Sequence, residues 1–384
     1  MINKGVYVMY NNNLPNPNVV PQQQPTPPAK VNNIDKIVAI CKKQGATDIH
    51  LAVGQPPICR INGDLLRLER LGVLSDAAIK LLIGEMLPPE KEEEFKEHHQ
   101  ADFAYQTAEG LRLRINAFMQ RKKHGVALRI LNDSHANLEE LGLPKVLYQI
   151  CNLRSGLVLV TGPTGSGKST TLSAMIDYVN EHRACHILTM EDPIEYTHNS
   201  KKSLVNQREV GDDTLSYADS LKAALREDPD VILVGEMRDL ETISIATTAA
   251  ETGHLVFSTL HTLGAAKTID RLIDVFPPHQ QQQVRVQLAG ALKAVISQRL
   301  LPKADGSGRC VAYEIMLINP AISSNIRDGK TAAINNYIQT GTQEGMILFE
   351  NSLANLVKAG ILAKDVAFEN CNDADTLSQY LRKM

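Results

Sequence analysis

Leu157-Val-Leu-Val160, Thr161 and then Gly162-Pro-Thr-Gly-Ser-Gly-Lys-Ser169 is the stretch that decides how this chain folds. Four consecutive apolar residues running into glycines predict a strand buried on both faces, and a helix follows the glycines. The loop between them satisfies G-x-x-x-x-G-K-[ST], with the strand before and the helix after that give the motif its meaning. Its glycines let successive N–H groups converge on phosphate oxygens, and the helix adds its positive N-terminal end. Lys168 would reach the β- and γ-phosphates, and the Ser169 hydroxyl would bind Mg²⁺. The expected nucleotide contacts are Gly162, Thr164, Gly165, Ser166, Gly167, Lys168, Ser169 and Thr170, with ATP and Mg²⁺ as ligands.

Downstream, the apolar runs at 187–190, 231–234 and 255–257 alternate with helical stretches. That rhythm predicts a parallel sheet with right-handed crossovers. Beyond residue 319 the chain reads as mainly helical. A phosphate loop needs a carboxylate to handle water and metal, and the third run ends in one: Val231-Ile-Leu-Val-Gly-Glu236. Glu236 would face the γ-phosphate, polarise the attacking water and reach the metal through water. Asp230 sits at the other end of that strand and is expected to be structural. Glu191-Asp-Pro-Ile-Glu195 follows the second run, so its acids fall on the same carboxyl edge as the loop. Composition leaves a site cluster and a solvated acidic turn equally open there. His261 follows the fourth run and can sense phosphate, whereas His254 precedes it and has no position assigned by geometry. His98 and His99 lie on a charged helix and take no role.

Upstream, globular patterning starts at residue 31. Asn33 is placed to cap a helix with Ile34, Ile37, Val38 and Cys41 on its apolar face, and Gly45 to end it. Alternation over 47–53 predicts a strand, and 58–61, Asn62-Gly63-Asp64 and 65–68 predict a hairpin. Ser75 opens a helix that Pro88 and Pro89 stop. Strands are expected at 102–106, 111–120 and 125–131, and a hinge at 132–143. Arg112 and Arg114 are two apart on one strand and share a face, with Arg129 on its neighbour. They are read either as a solvated arginine face or as cations that close over the γ-phosphate. The Asn-, Gln- and Pro-rich first thirty residues cannot bury enough apolar surface to offset their ordering entropy and are read as a disordered leader. The expected division is therefore 1–30, 31–132 and 133–384.

Composition sets the outer limits. At 384 residues the chain calls for two domains. A 43% hydrophobic and 22% charged composition excludes a wholly disordered, collagen-like or coiled-coil chain. No apolar run approaches the roughly 18 residues of a membrane span. A net charge of −3 gives no reason to expect a nucleic-acid partner. Six scattered cysteines without a C-x-x-C pair read as reduced thiols of a cytoplasmic protein, and the N-terminus lacks the apolar core of a secretory signal.

Taken together these residues resemble the secretion and pilus ATPases, and within them the retraction branch that serves type IV pili. The phosphate loop 162–170, the acidic segment 188–196, VILVGEMRDLE at 231–241 and TGHLVFSTLHT at 252–262 are similar to the family's four linked motifs. Asp48-Ile-His-Leu51, Gly54-Gln-Pro-Pro57 and Arg60 are similar to its N-terminal signature. The resemblance implies an α/β protein with a PAS-like N-terminal domain, a RecA-like ATPase domain with a helical C-terminal segment, and a ring-shaped homo-hexamer. It implies Glu236 as catalytic glutamate, with Glu191, His254 and His261 lining the site and Arg112, Arg114 and Arg129 as the family's N-terminal arginines. The expected function is ATP-driven pilus retraction and twitching motility. The expected setting is the cytoplasmic face of the inner membrane, beside the pilus platform protein and other pilus ATPases. Extension or type II secretion ATPases typically carry cysteine pairs that this chain lacks. A RecA-type nucleic-acid translocase and a nucleotide-gated binding module are the other readings. The chain departs from the retraction branch at Ala321-Ile-Ser-Ser-Asn-Ile-Arg-Asp328, where Ser323 stands in place of an arginine.

Overall fold

The computed structural model describes residues 33–61, 63–131 and 136–382. The leader 1–30, Asn62 of the expected hairpin turn and residues 132–135 of the expected hinge lie outside these. The chain forms two compact units. One holds the described residues up to Tyr105 together with Arg114–Arg129, and the other holds Gln106–Leu113 and the chain from Ile130 onward.

In the first unit the helix Ile34–Lys43 starts where Asn33 caps it, its Oδ1 accepting from Lys36 N at 3.2 Å. The helix buries Ile34, Ile37, Val38 and Cys41. Six strands follow: β1 (Asp48–Ala52), β2 (Ile58–Ile61), β3 (Asp64–Arg67), β4 (Gln100–Gln106), β5 (Arg112–Gln120) and β6 (Lys123–Ile130). They form one sheet in the order β3-β2-β1-β6-β5-β4. The pleat decides what each strand buries: Ile49 and Leu51 on β1, and Leu113, Ile115 and Ala117 on β5. The opposite face of β5 therefore carries Arg112, Arg114 and Asn116. Ser75 caps the helix Asp76–Met86. The proline pair that stops this helix also starts the next, Pro89–His98, because a helix's first turn does not need the missing N–H.

The second unit is built on seven strands: β7 (Gly156–Thr161), β8 (His186–Glu191), β9 (Leu204–Glu209), β10 (Val231–Val234), β11 (Leu255–Leu260), β12 (Leu292–Pro302) and β13 (Arg309–Leu317). Their order is β13-β12-β7-β11-β10-β8-β9. All neighbours are parallel except β12 and β13. Every residue of β7, β10 and β11 is buried, which is why these strands read as unbroken apolar runs. Alternate residues of β7 feed two cores. Leu157 and Leu159 pack with Ile232, Ile269 and Leu292, while Val158 and Val160 pack with Met175, Phe257 and Ile296. Each such side chain contributes about 1.5–3 kcal/mol. A third, smaller core joins Leu301 and Ala312 to Phe349, Leu353, Leu362 and Leu377 of the C-terminal helices and the turn between them. Ser323 caps nothing, but its hydroxyl donates to Ala289 O at 2.9 Å and ties the helix Pro320–Arg327 to the helix Pro278–Ala291. Strands β9, β12 and β13 were not expected from the pattern of apolar runs. The carboxyl ends of β7, β8, β10 and β11 lie on one edge, where ligands bind in open parallel sheets.

Candidate active site

The phosphate loop leaves β7 and enters the helix Lys168–His182. Gly165 and Gly167 take φ of 77° and 86°, a left-handed conformation that only glycine adopts without strain. A Cβ at Gly162 would collide with the Gln298 carbonyl of β12, so the loop lies against that strand. Lys168 Nζ donates to Gly162 O at 2.9 Å and to Pro163 O at 3.1 Å, which holds the ammonium over the loop. Burial lowers its pKa, opposed by the charges of Glu236 and Glu195. Thr170 shares a 2.9 Å hydrogen bond with the Tyr196 hydroxyl. Ser166 Oγ is buried and, among the described residues, finds no hydrogen-bond partner. Ser169 is half-buried in the first helical turn. Its hydroxyl suits a hard cation that takes its remaining ligands from phosphate and water.

Glu236 stands two residues beyond β10. Ser258 Oγ donates to Val234 O at 2.7 Å and Thr259 Oγ1 to Gly235 O at 2.6 Å, so β11 fixes the backbone leading to it. A side chain at Gly235 would meet the Tyr217 hydroxyl at 2.8 Å. The Glu236 carboxylate pairs with Arg238 Nη2 at 2.7 Å and His261 Nε2 at 3.2 Å. Burial pushes its pKa up, but Arg238 and His261 outweigh this and hold it below the usual carboxylate range. A cleft of about 510 Å³ opens beside it, lined by Glu236, Met237, Arg238, His261, Thr262 and Arg271.

Glu191, at the end of β8, behaves in the opposite way. Its Oε1 accepts from Thr189 Oγ1 at 2.7 Å and Gln207 Nε2 at 3.2 Å, and loss of solvent lifts its carboxyl to about 7. Two carboxyls on one sheet edge are thus driven apart, one kept ionised and one able to hold a proton near neutrality.

The structure brings Lys168, Ser169, Glu191, Glu236 and His261 to the carboxyl edge. His254 does not join them. It lies at the amino end of β11, its Nδ1 3.0 Å from Ala249 O and its carbonyl bound by Gly156 N. The six residues of β11, about 20 Å at strand rise, separate it from His261, so within one chain it does not line this site. Asp230 is structural as expected, accepting from His186 N at 2.9 Å. Arg112, in the segment grouped with the second unit, lies with Nη2 3.6 Å from Glu209 Oε2. In the first unit Arg114 is exposed on β5, and Arg129 Nε donates to Asp48 Oδ1 at 3.0 Å. Sequence reading missed Gln207, Tyr196, Arg238 and Gln298. Arg238 could have been found, because a cation two residues beyond the candidate carboxylate Glu236 is within reach of it. Tyr196 ends the acidic segment 188–196 but was not singled out within it, and Gln207 and Gln298 come from strands with no motif.

A family model described as type II/IV secretion system protein matches residues 30–366. The chain is 49% identical to the type IV pilus retraction ATPase PilT of Pseudomonas aeruginosa over 337 residues, covering 88% of this chain and 97% of that protein. It is 47% identical to a twitching motility protein of Neisseria gonorrhoeae, covering 84% and 86%. A crystal structure of the pilus retraction motor PilT with bound ADP superposes with a TM-score of 0.85 at 45% identity, covering 90% of this chain and 99% of that one. With a P-loop on a RecA-like sheet and an ionised glutamate on the same edge, this chain belongs to the type II/IV secretion system protein family, as one of its ATPases.

Proposed function

We propose that this chain is the ATP-hydrolysing motor of type IV pilus retraction, working as a ring of six copies on the cytoplasmic face of the inner membrane. The observation that carries the chemistry is Glu236, kept ionised by Arg238 and His261 on the edge that holds the phosphate loop. The retraction assignment is supported by the relatives, which are named for retraction and twitching. Among the described residues no helix is long and apolar enough to cross a membrane.

The loop N–H groups and Lys168 hold the β- and γ-phosphates of ATP, and Thr170 closes the end of the cradle. Mg²⁺, when bound at the Ser169 hydroxyl, neutralises charge on those phosphates. Glu236 orients the attacking water and takes its proton, and His261 senses the state of the phosphate through its contact with Glu236. Arg112, Arg114 and Arg129 supply cations that stabilise the transition state, with 31–132 acting as the N-terminal domain and 133–384 as the ATPase domain. Closure around ATP and reopening after hydrolysis, passed between subunits, would move the pilus platform protein.

The decisive test is Glu236→Gln, which keeps the shape but not the base. It should lower kcat by about 10²–10⁴ with ATP affinity kept; turnover at the parent rate would remove Glu236 from the mechanism. For direction, a strain lacking this protein should keep its surface pili and lose twitching. A strain without pili would place the chain on the extension side.

A further inference from the structure

Strand β12 carries a buried glutamine, Gln298, between Ser297 and Arg299. Gln298 is 1% exposed, and a primary amide is costly to bury unless both of its ends are bonded. Both ends are bonded here. Nε2 donates to Ser166 O at 2.8 Å, and Oε1 accepts from Thr171 Oγ1 at 3.0 Å. The two partners bracket Lys168, Ser166 lying two residues before it and Thr171 three after. A primary amide is the side chain that donates and accepts from one rigid plane, so a single residue closes both contacts.

The strand beneath is itself fixed. Side chains alternate along it, so Ser297 and Arg299 leave by the other face. Ser297 Oγ accepts from Gly264 N at 2.9 Å, just beyond the His261 turn. Arg299 donates to Asn370 O at 2.7 Å and Asn372 Oδ1 at 3.1 Å in the C-terminal segment. Gln298 therefore works from a base tied down on its far side.

A trans peptide unit points its N–H opposite to its C=O. Drawing the Ser166 carbonyl toward β12 turns the Gly167 N–H away from that strand and keeps a repulsive oxygen from the loop's concave side. We propose that Gln298 is a positioning residue for nucleotide binding: its amide sets the Ser166–Gly167 peptide so that the loop's N–H groups converge on phosphate, while Thr171 steadies the amide. This rests on the nucleotide-binding reading of the loop given above.

Gln298→Met removes both hydrogen bonds at nearly constant volume. With ADP and ATP as probes, Kd and KM should rise about tenfold, the range expected for a lost buried hydrogen bond, while kcat stays within about twofold because Glu236 is untouched. Thr171→Val added to Gln298→Met should cost little more, since both act through one amide. A residue that merely supports the fold would lower the melting temperature and leave the Kd of the folded protein at the parent value, and that result overturns the proposal. Gln298→Glu covers the case in which the Met variant does not fold. Its carboxyl donates to the Ser166 carbonyl only when protonated, so nucleotide affinity relative to the parent should fall as pH rises. A flat, parent-level profile overturns the proposal as well. The parent is measured first: a parent that binds no nucleotide overturns the nucleotide reading itself, whereas parent binding with unaltered variants overturns Gln298 alone.

Discussion

Replacing Glu191 with Gln should remove a specific pH dependence from the stability of the second unit. Its carboxyl sits at about 7 in the folded protein against an ordinary 4.5. Between those values the folded chain keeps a proton that the unfolded chain has released. The folded state therefore binds more protons, and stability falls as pH rises through this window. The difference of 2.5 units (7 less 4.5) corresponds to about 3.4 kcal/mol at 1.36 kcal/mol per unit. Of this, about 0.8 kcal/mol is already lost by pH 5, which leaves about 2.5 kcal/mol between pH 5 and pH 8. Gln cannot ionise. It can also keep the local geometry, because Thr189 and Gln207 both donate to Oε1, which the amide oxygen replaces. Urea denaturation of parent and variant at pH 5 and pH 8 isolates the effect, since every other titrating group is shared. The parent should lose about 2.5 kcal/mol more than Glu191→Gln over that interval. Equal losses in the two proteins would show that Glu191 is not held protonated, and the assignment of two opposed carboxyls would fail with it.

Lys168→Ala should weaken ATP binding by about ten- to hundredfold, because a charge-assisted contact to phosphate is lost, and a fluorescent-nucleotide titration reads this directly. Gly162→Ala forces a side chain against the Gln298 carbonyl at a φ of 144°, and should cost about 1–3 kcal/mol in thermal or urea unfolding. Arg129→Ala removes the partner of Asp48 in the first unit. If Arg129 serves the transition state, kcat drops by about tenfold or more with nucleotide Kd nearly unchanged, whereas small equal changes in both return it to the solvated sheet face.

The parts of the fold that were readable are those where burial on both faces leaves no room for polar side chains. β7, β10 and β11 are such strands, and the glycines after β7 announce the loop. β9 reads Leu-Val-Asn-Gln-Arg-Glu because it is an edge strand, and its Gln207 is spent on Glu191 and the Tyr196 carbonyl. β12 was hidden by Ser297, Gln298 and Arg299, whose polarity is satisfied by three separate segments of the chain. Contacts of that kind join residues more than thirty positions apart, and no local spacing encodes them. The placement of Glu236 and His261 on one sheet edge was legible from their position after apolar runs. The shift of Glu191 was not, because it depends on solvent exclusion by folded neighbours. His254 shows the converse: a motif position carried over by resemblance lies a full strand away from the residues it was grouped with.

The helix Lys168–His182 begins at the phosphate loop and ends in a cluster of rings. It has fifteen residues, about 22 Å at helical rise, with no glycine or proline to let it bend. At its far end Tyr178 lies 4.8 Å from the ring of Tyr148 and 4.2 Å from that of His182, and Asn152 bridges Tyr148 O and the Tyr178 hydroxyl. Such a helix is a stiff rod with one end in the chemistry. A tilt imposed at the loop end would not be absorbed along its length and would press laterally on the helix Val146–Cys151, whose Tyr148 ring lies against that of Tyr178. Any displacement of the loop end would therefore reach the helix Val146–Cys151 as movement rather than as charge.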